Sequence, residues 1–206
     1  MSPKRLGGPA PGREVLDTII DAGLRAPDHG GLRPWRLLEF DAGSRPALAD
    51  LFEDEKKRRD PLASTDDLAR AREHALHAPV VWAFIVCVRR QTVVPVHEQW
   101  LAAGAALDAL QLAAHAFGLG AIVLSGERCQ DQAIRTGLGV CADELLAGFI
   151  SIGTITKAPA AAQLVNRSRV WTTWVPSNQG AHHIVSTSKH PERAVFELSH
   201  IGSQPG

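Results

Sequence analysis

Nine consecutive apolar residues, Val80-Val81-Trp82-Ala83-Phe84-Ile85-Val86-Cys87-Val88, place the tightest limit on what this chain can fold into. The run is too short to span a bilayer. It is rich in β-branched side chains and follows Pro79, which favours a strand over a helix. It also lacks the polar alternation of a half-solvated strand, so it belongs inside a domain, buried on both faces. A chain of 206 residues, 45% hydrophobic and 21% charged, is long enough to build such a core without disulfides or metals. That length corresponds to one domain, with at most an appendage.

The flanking segments read as a mixture of helices and short strands. Val15, Leu16, Ile19, Ile20 and Leu24 recur at helical spacing, which predicts a helix over Glu14–Leu24 that stops before Pro27. Arg36–Phe40 reads as a strand. Pro46–Phe52 starts a helix that runs into the charge cluster Glu53–Asp60. Ser64 or Thr65 caps the next helix, with Asp66 and Asp67 well placed in its first turn, and that helix ends near His77. Glu98–Phe117 is the longest helix. Its Ala102-Ala103-Gly104-Ala105-Ala106 stretch offers a smooth surface for close helix packing or a subunit contact, and Gly118 follows as its C-terminal stop. Ala121–Leu124 reads as a strand, Gln130–Leu138 as a short helix closed by Gly139, and Ala147–Ile155 as a strand. Val170–Val175 could form one more. The first dozen residues look irregular, and the polar stretch from Pro176 shows no sustained period. No internal repeat is visible, so the chain reads as one α+β domain with a terminal extension.

Composition narrows the function classes. Lys and Arg total 22 and Asp and Glu total 22, so no net basic character advertises nucleic-acid binding. The N-terminal MSPKRLGGPAPG has no apolar stretch behind its basic residues, unlike a secretory signal. Asp108, Gln111 and His115 interrupt the longest apolar segment, Trp100–Leu119, which argues against a membrane span. Three cysteines without a CxxC pair suit a reducing compartment. The expectation is a cytoplasmic protein.

The densest collection of functional side chains is the loop Arg25-Ala26-Pro27-Asp28-His29-Gly30-Gly31-Leu32-Arg33-Pro34-Trp35, set between a helix and a strand. Its two arginines and histidine could hold an anionic or hydrogen-bond-rich ligand. The plainer alternative is that Arg25 caps the helix and Trp35 fills the core. Elsewhere the chemistry is sparse. Ser125-Gly126 does not sit in a GxSxG elbow, and GLGAIVLSG lacks the GxGxxG order of a dinucleotide fold. His74 and His77 are one helical turn apart but have no evident third metal ligand. Lys56-Lys57-Arg58-Arg59 after Glu53-Asp54-Glu55 reads as a solvated helix face. Cys87, inside the buried strand, should be inert.

The stretch RAPDHGGLRPWRLLEF resembles the signature loop of the FMN-dependent nitroreductase family, most like the small bacterial NAD(P)H nitroreductase subgroup. The resemblance continues through HEQWLAAGAALDALQLAAHAFGLGAIVLSG and covers roughly Ser2 to Trp174. It implies a three-layer α+β fold with a mostly antiparallel central sheet flanked by helices and a long central interface helix. The implied division is a flavin-binding domain over 1–174 and a C-terminal tail over 175–206, flexible or packed on a partner subunit. Position by position, Arg25 and His29 match residues that contact FMN bound mainly by the other subunit. Val123, Leu124 and Ser125 match the segment lining the flavin ring. Ala113, Ala114, His115, Ala116, Phe117 and Gly118 match a stretch assigned to the nicotinamide nucleotide, although they form a plain helix end here.

The chain departs from the family pattern in two places. Of the family's Arg-Arg-Ser phosphate clamp an ungapped match places only Ser2; the expectation is either that the chain begins late relative to its relatives or that Lys4 and Arg5 supply the positive charge instead. The subgroup's Trp-Arg pair before the matching serine is replaced by Val123-Leu124. What the resemblance implies is an FMN-dependent NAD(P)H oxidoreductase, homodimeric, reducing nitroaromatic, quinone or similar electron-poor acceptors in a ping-pong cycle through the flavin. Flavin carries the hydride chemistry itself, so no acid–base triad is required and no catalytic side chain is assigned. The alternative is a flavin-binding carrier or regulatory protein with little turnover.

Overall fold

The computed structural model describes residues 5–157, 166–175 and 183–185. The elements run β1 (Arg5–Gly7), α1 (Arg13–Leu24), β2 (Trp35–Glu39), α2 (Arg45–Arg59), α3 (Thr65–Leu76), β3 (Val80–Cys87), α4 (Val96–Ala116), β4 (Gly120–Leu124), α5 (Gln132–Gly137), β5 (Glu144–Lys157), β6 (Thr173–Val175) and β7 (His183–Val185). The chain divides into two compact units, residues 1–160 and 161–206. In the second, β6 and β7 pair antiparallel, so strand pairing reaches into the stretch expected to lack regular structure.

In the first unit β3 lies inside the sheet, as its apolar run demands. It pairs antiparallel with β2 on one side and β5 on the other. The long β5 also pairs antiparallel with β4 and with β1. The arm expected to be irregular therefore contributes a strand at Arg5–Gly7, because the outer end of β5 offers it a ladder of free N–H and C=O groups.

Alternation along β3 divides its side chains between two cores. Val81, Ala83 and Ile85 join Leu48, Phe52, Ala75 and Ile134, so α2, α3 and α5 cover that face. Val80, Trp82, Phe84 and Val86 join Leu16, Ile19, Ala103, Leu110 and Ala114, so α1 and α4 cover the other. The result is an α+β, three-layer arrangement with helices on both faces of an antiparallel sheet. The small residues of α4 divide between its sides: Ala102, Ala103 and Ala106 are buried, Ala105 is half-buried and Gly104 is exposed.

Local chemistry sets the element ends. Ser64 and Asp67 form a reciprocal capping box at the start of α3. The buried Arg45, in the first turn of α2, donates to the carbonyls of Ala75 and Ala78 and so closes the C-terminal end of α3. The charge cluster expected to be a solvated face is more tightly knit. Lys56, Lys57, Arg58 and Arg59 each hold a carboxylate, and the partner of Arg59, Glu55, is buried.

Candidate functional site

A register shift in the β3–β5 ladder shapes the surface on which the candidate site rests. Phe84 opposes Gly148 but Ile85 opposes Leu146, leaving Ala147 as an extra residue on β5. The bulge reverses the facing of β5, so that Leu145 and Ala147 join one core while Phe149 joins the other. At the bulge, a Cβ on Gly148 would stand 2.9 Å from Val123 Cγ1 and 3.1 Å from the Leu124 carbonyl oxygen. Only glycine lets the end of β4 lie this close.

Two cavities meet at that end. One, of about 320 Å³, is walled by Arg5, Glu73, His74, His77, Leu124 and Ser151. The other, of about 280 Å³, is walled by Arg59, His74, Leu124, Ser125, Arg128 and Phe149. Leu124 and His74 belong to both. Beyond Leu124 the chain turns through Ser125 and Gly126, whose φ of +114° favours glycine. Of the ring-lining candidates, Val123 packs toward the α1/α4 core, Leu124 faces the cavities, and Ser125 is exposed at the second cavity's rim.

Sequence reasoning missed two side chains of this cleft. Arg128 lies 4.0 Å over the Phe52 ring centroid, a cation–π stack, and its Nη1 is 3.2 Å from His74 Nδ1. His74 is an exposed residue, yet partial desolvation of its ring, and then the Arg128 charge, push the imidazole below its ordinary range. Arg128 carries no periodic signal in the sequence, and the spacing of His74 and His77 points only to a metal. Among the described residues no group of three or more His, Cys, Asp or Glu is arranged to hold a metal. Arg5, named in the sequence as replacement charge, does stand at the first cavity.

The signature loop lines neither cavity. Arg25 is the C-cap of α1 and its side chain is exposed. His29 opens a single 3-10 turn, His29–Gly31, and its Nδ1 is 2.5 Å from Glu98 Oε2 on the first turn of α4. The Asp28 carboxylate accepts the Arg33 N–H at 2.6 Å. Arg33 itself sits at φ +44°, a left-handed conformation that costs a side-chain-bearing residue about 1 kcal/mol. Such local strain marks a loop held in shape by its surroundings.

At the loop's exit Trp35 stacks on Phe84 with ring centroids 5.7 Å apart. Next to it Arg36 makes a bidentate pair with Glu144, both distances 2.7 Å. Cys87 Sγ lies 3.1 Å from the same carboxylate, and the Cys141 N–H donates to it at 2.9 Å. Arg36 chiefly holds the Glu144 carboxyl down at about 2, while burial above all pushes the Cys87 thiol up to about 12.

The remaining sequence candidates divide by burial. Ala113 to Gly118 form the last turn and cap of α4. Ala114 is fully buried in the core, Ala113 is half-buried, and His115, Ala116, Phe117 and Gly118 are exposed. Gly118 takes φ +72°, as a helix-stopping glycine does. Ser2 lies outside the described residues. The outer side of α4 exposes Trp100, Leu101 and Leu112, with Phe117 just beyond its end. No described helix is long and apolar enough to cross a membrane.

Comparison with known proteins covers most of the chain. Residues 4–154 match the model of the Nitroreductase family. The chain is 33% identical over 155 residues to an Escherichia coli K12 protein named "Putative NAD(P)H nitroreductase YdjA", covering 74% of this chain and 82% of that one. Among solved structures, the nitroreductase-like family protein from Bacillus cereus superposes with a TM-score of 0.68 at 20% identity, over 82% of this chain and 88% of that one. A Desulfovibrio desulfuricans nitroreductase solved in complex with FMN gives 0.64 at 23% identity, over 85% and 92%.

Proposed function

The chain belongs to the nitroreductase family, and from that premise we propose that it is an FMN-dependent NAD(P)H oxidoreductase acting on small electron-poor acceptors. The observation that carries this reading is the cleft at the end of β4. The segment matched to the flavin ring, Val123–Ser125, ends where two cavities meet, with apolar surface from Ile122 and Leu124 and hydrogen-bond donors from Arg5, Ser125 and Arg128. That donor set fits the group. An isoalloxazine needs an apolar bed with donors at its oxygen-bearing edge, and a phosphate of about two negative charges needs basic side chains or exposed N–H groups. When bound, FMN would supply the hydride chemistry, accepting from NAD(P)H and passing to a nitroaromatic or quinone in alternating half-reactions.

The chain's own residues have distinct tasks. Leu124 supplies apolar contact and Ser125 a hydroxyl at the cleft rim. Arg5 supplies positive charge for the phosphate. Arg25 and His29 sit at the end of α1 and in the loop after it, and they reach a flavin only across a subunit boundary. The reading therefore includes a homodimer joined through the outer face of α4, where Trp100, Leu101 and Leu112 are exposed. A cytoplasmic location belongs to the same reading.

The test is direct. Purified protein loaded with FMN should show flavin absorbance and oxidise NAD(P)H when given a nitroarene. Arg25→Ala should weaken FMN binding about tenfold to a hundredfold, the usual worth of a charge-assisted contact. Equal affinity would remove Arg25 from the site. Sedimentation showing a monomer that still holds FMN would refute the shared site.

A further inference from the structure

The cleft contains one histidine whose protonation pattern its neighbour dictates. Arg128 follows the turn after β4, and its guanidinium is fixed from two sides. It stacks 4.0 Å over Phe52, and its Nε lies 3.5 Å from the buried Glu55 carboxylate. Its Nη1 stands 3.2 Å from Nδ1 of His74. A guanidinium has five N–H donors and no lone pair to offer, so Nδ1 must be the acceptor. An imidazole that accepts at Nδ1 is neutral and carries its proton on Nε2.

From this contact and the two cavities that share His74 as a wall, we propose that Arg128 locks His74 as a neutral Nε2–H donor for an oxygen atom of the molecule seated on Leu124 and Ser125. His74 is thus a binding residue of the cleft, and Arg128 is the positioning residue behind it. The inference rests on the flavin reading above and adds a contact that reading does not contain.

The surrounding charges favour the neutral ring. Arg128 opposes a second positive charge, whereas Glu73, on the same helix, favours one. On α2, behind Arg128, Glu55 also pairs with Arg59, whose Nε it holds at 2.5 Å, and Arg59 pairs in turn with Glu127. A neutral donor suits uncharged or partly charged oxygens, such as a flavin ring carbonyl or the oxygen of a nitro group or quinone. The frame is stiff because the capping box anchors one end of α3 and buried Arg45 the other.

Two arms of one experiment separate the possible oxygens. FMN is titrated by fluorescence into the parent, His74→Ala, His74→Gln and Arg128→Met. The flavin-loaded proteins are then assayed for the KM of p-nitrobenzoate. Glutamine restores an N–H donor near the position of Nε2, whereas alanine does not. If the oxygen is the flavin's, His74→Ala weakens FMN binding about threefold to tenfold and His74→Gln recovers most of it. If it is the acceptor's, FMN affinity is unchanged, and KM rises by a similar factor with the same recovery.

A third readout needs no ligand. Long-range ¹⁵N–¹H correlations of the imidazole rings should show His74 as the Nε2–H tautomer in the parent and as a tautomer mixture in Arg128→Met, with His74→Gln identifying the signal. An Nδ1–H ring in the parent overturns the proposal. So does a glutamine variant as impaired as alanine, or an alanine variant with unchanged FMN affinity and KM. A parent that takes up no FMN refutes the flavin reading and the ligand role together, whereas FMN binding beside a silent His74→Ala refutes this inference alone.

Discussion

Replacing Glu144 by glutamine tests the clamp at the exit of the signature loop. The Glu144 carboxylate takes two charge-assisted bonds from Arg36 and one N–H from Cys141. Those contacts hold its pKa at about 2 against an ordinary 4.5. A shift of that size corresponds to about 3 kcal/mol at neutral pH. The Arg36 side chain is 37% exposed, so solvent screening reduces the expected effect to about 2 kcal/mol.

Because the folded pKa is depressed, this stability is fully present above the unfolded pKa and is lost as the pH falls from about 5 toward 2. At pH 3, less than half of it remains. Glu144→Gln, which keeps the shape but turns an amide toward Arg36, should lower the melting temperature at pH 7 by about 4–8 °C. The gap between variant and parent should then narrow steadily in thermal melts at pH 5, 4 and 3. A gap that is absent at pH 7, or that stays constant down to pH 3, would refute the assignment of acid-labile stability to this clamp.

Alkylation with iodoacetamide at pH 8 should modify exposed Cys141 and spare Cys87 and Cys129, whose thiols burial pushes upward, Cys87 to about 12; peptide mass spectrometry before and after unfolding reads the difference. Ser64→Ala removes one half of the α3 capping box and should cost about 1 kcal/mol in urea titrations. Gly148→Ala forces a Cβ against Val123 and the Leu124 carbonyl, so it should destabilise the fold by about 1–3 kcal/mol and weaken FMN uptake. Arg5→Ala should weaken FMN binding about tenfold or more if Arg5 holds the phosphate, and unchanged affinity in fluorescence titration would place the phosphate elsewhere.

Much of the layer structure was written in short-range pattern. The unbroken run at Val80–Cys87 required cover on both faces, and the periodicities of Leu16/Ile19 and Ala103/Leu110 supplied one cover. Ser64 and Asp67 announced the start of α3 because capping is chemistry between neighbours in the chain. RAPDH and the later PW carried the family by resemblance alone.

Resemblance pointed to Leu124, Ser125 and Arg5, but the cleft they share with His74 and Arg128 was not legible in the sequence, because its members are distant in the chain and only folding brings them together. Arg5 reaches it because β1 adds to the far end of β5, a pairing set by backbone groups that no side-chain pattern reports. His74 and Arg128 are 54 residues apart, yet they meet because α3 and the turn after β4 share one face of the sheet. The β5 bulge, and with it the need for glycine at position 148, exists only in the ladder between two strands. Local periodicity sets which face of an element is apolar, whereas the position of a polar side chain relative to another depends on register and layer packing, which the whole domain decides at once.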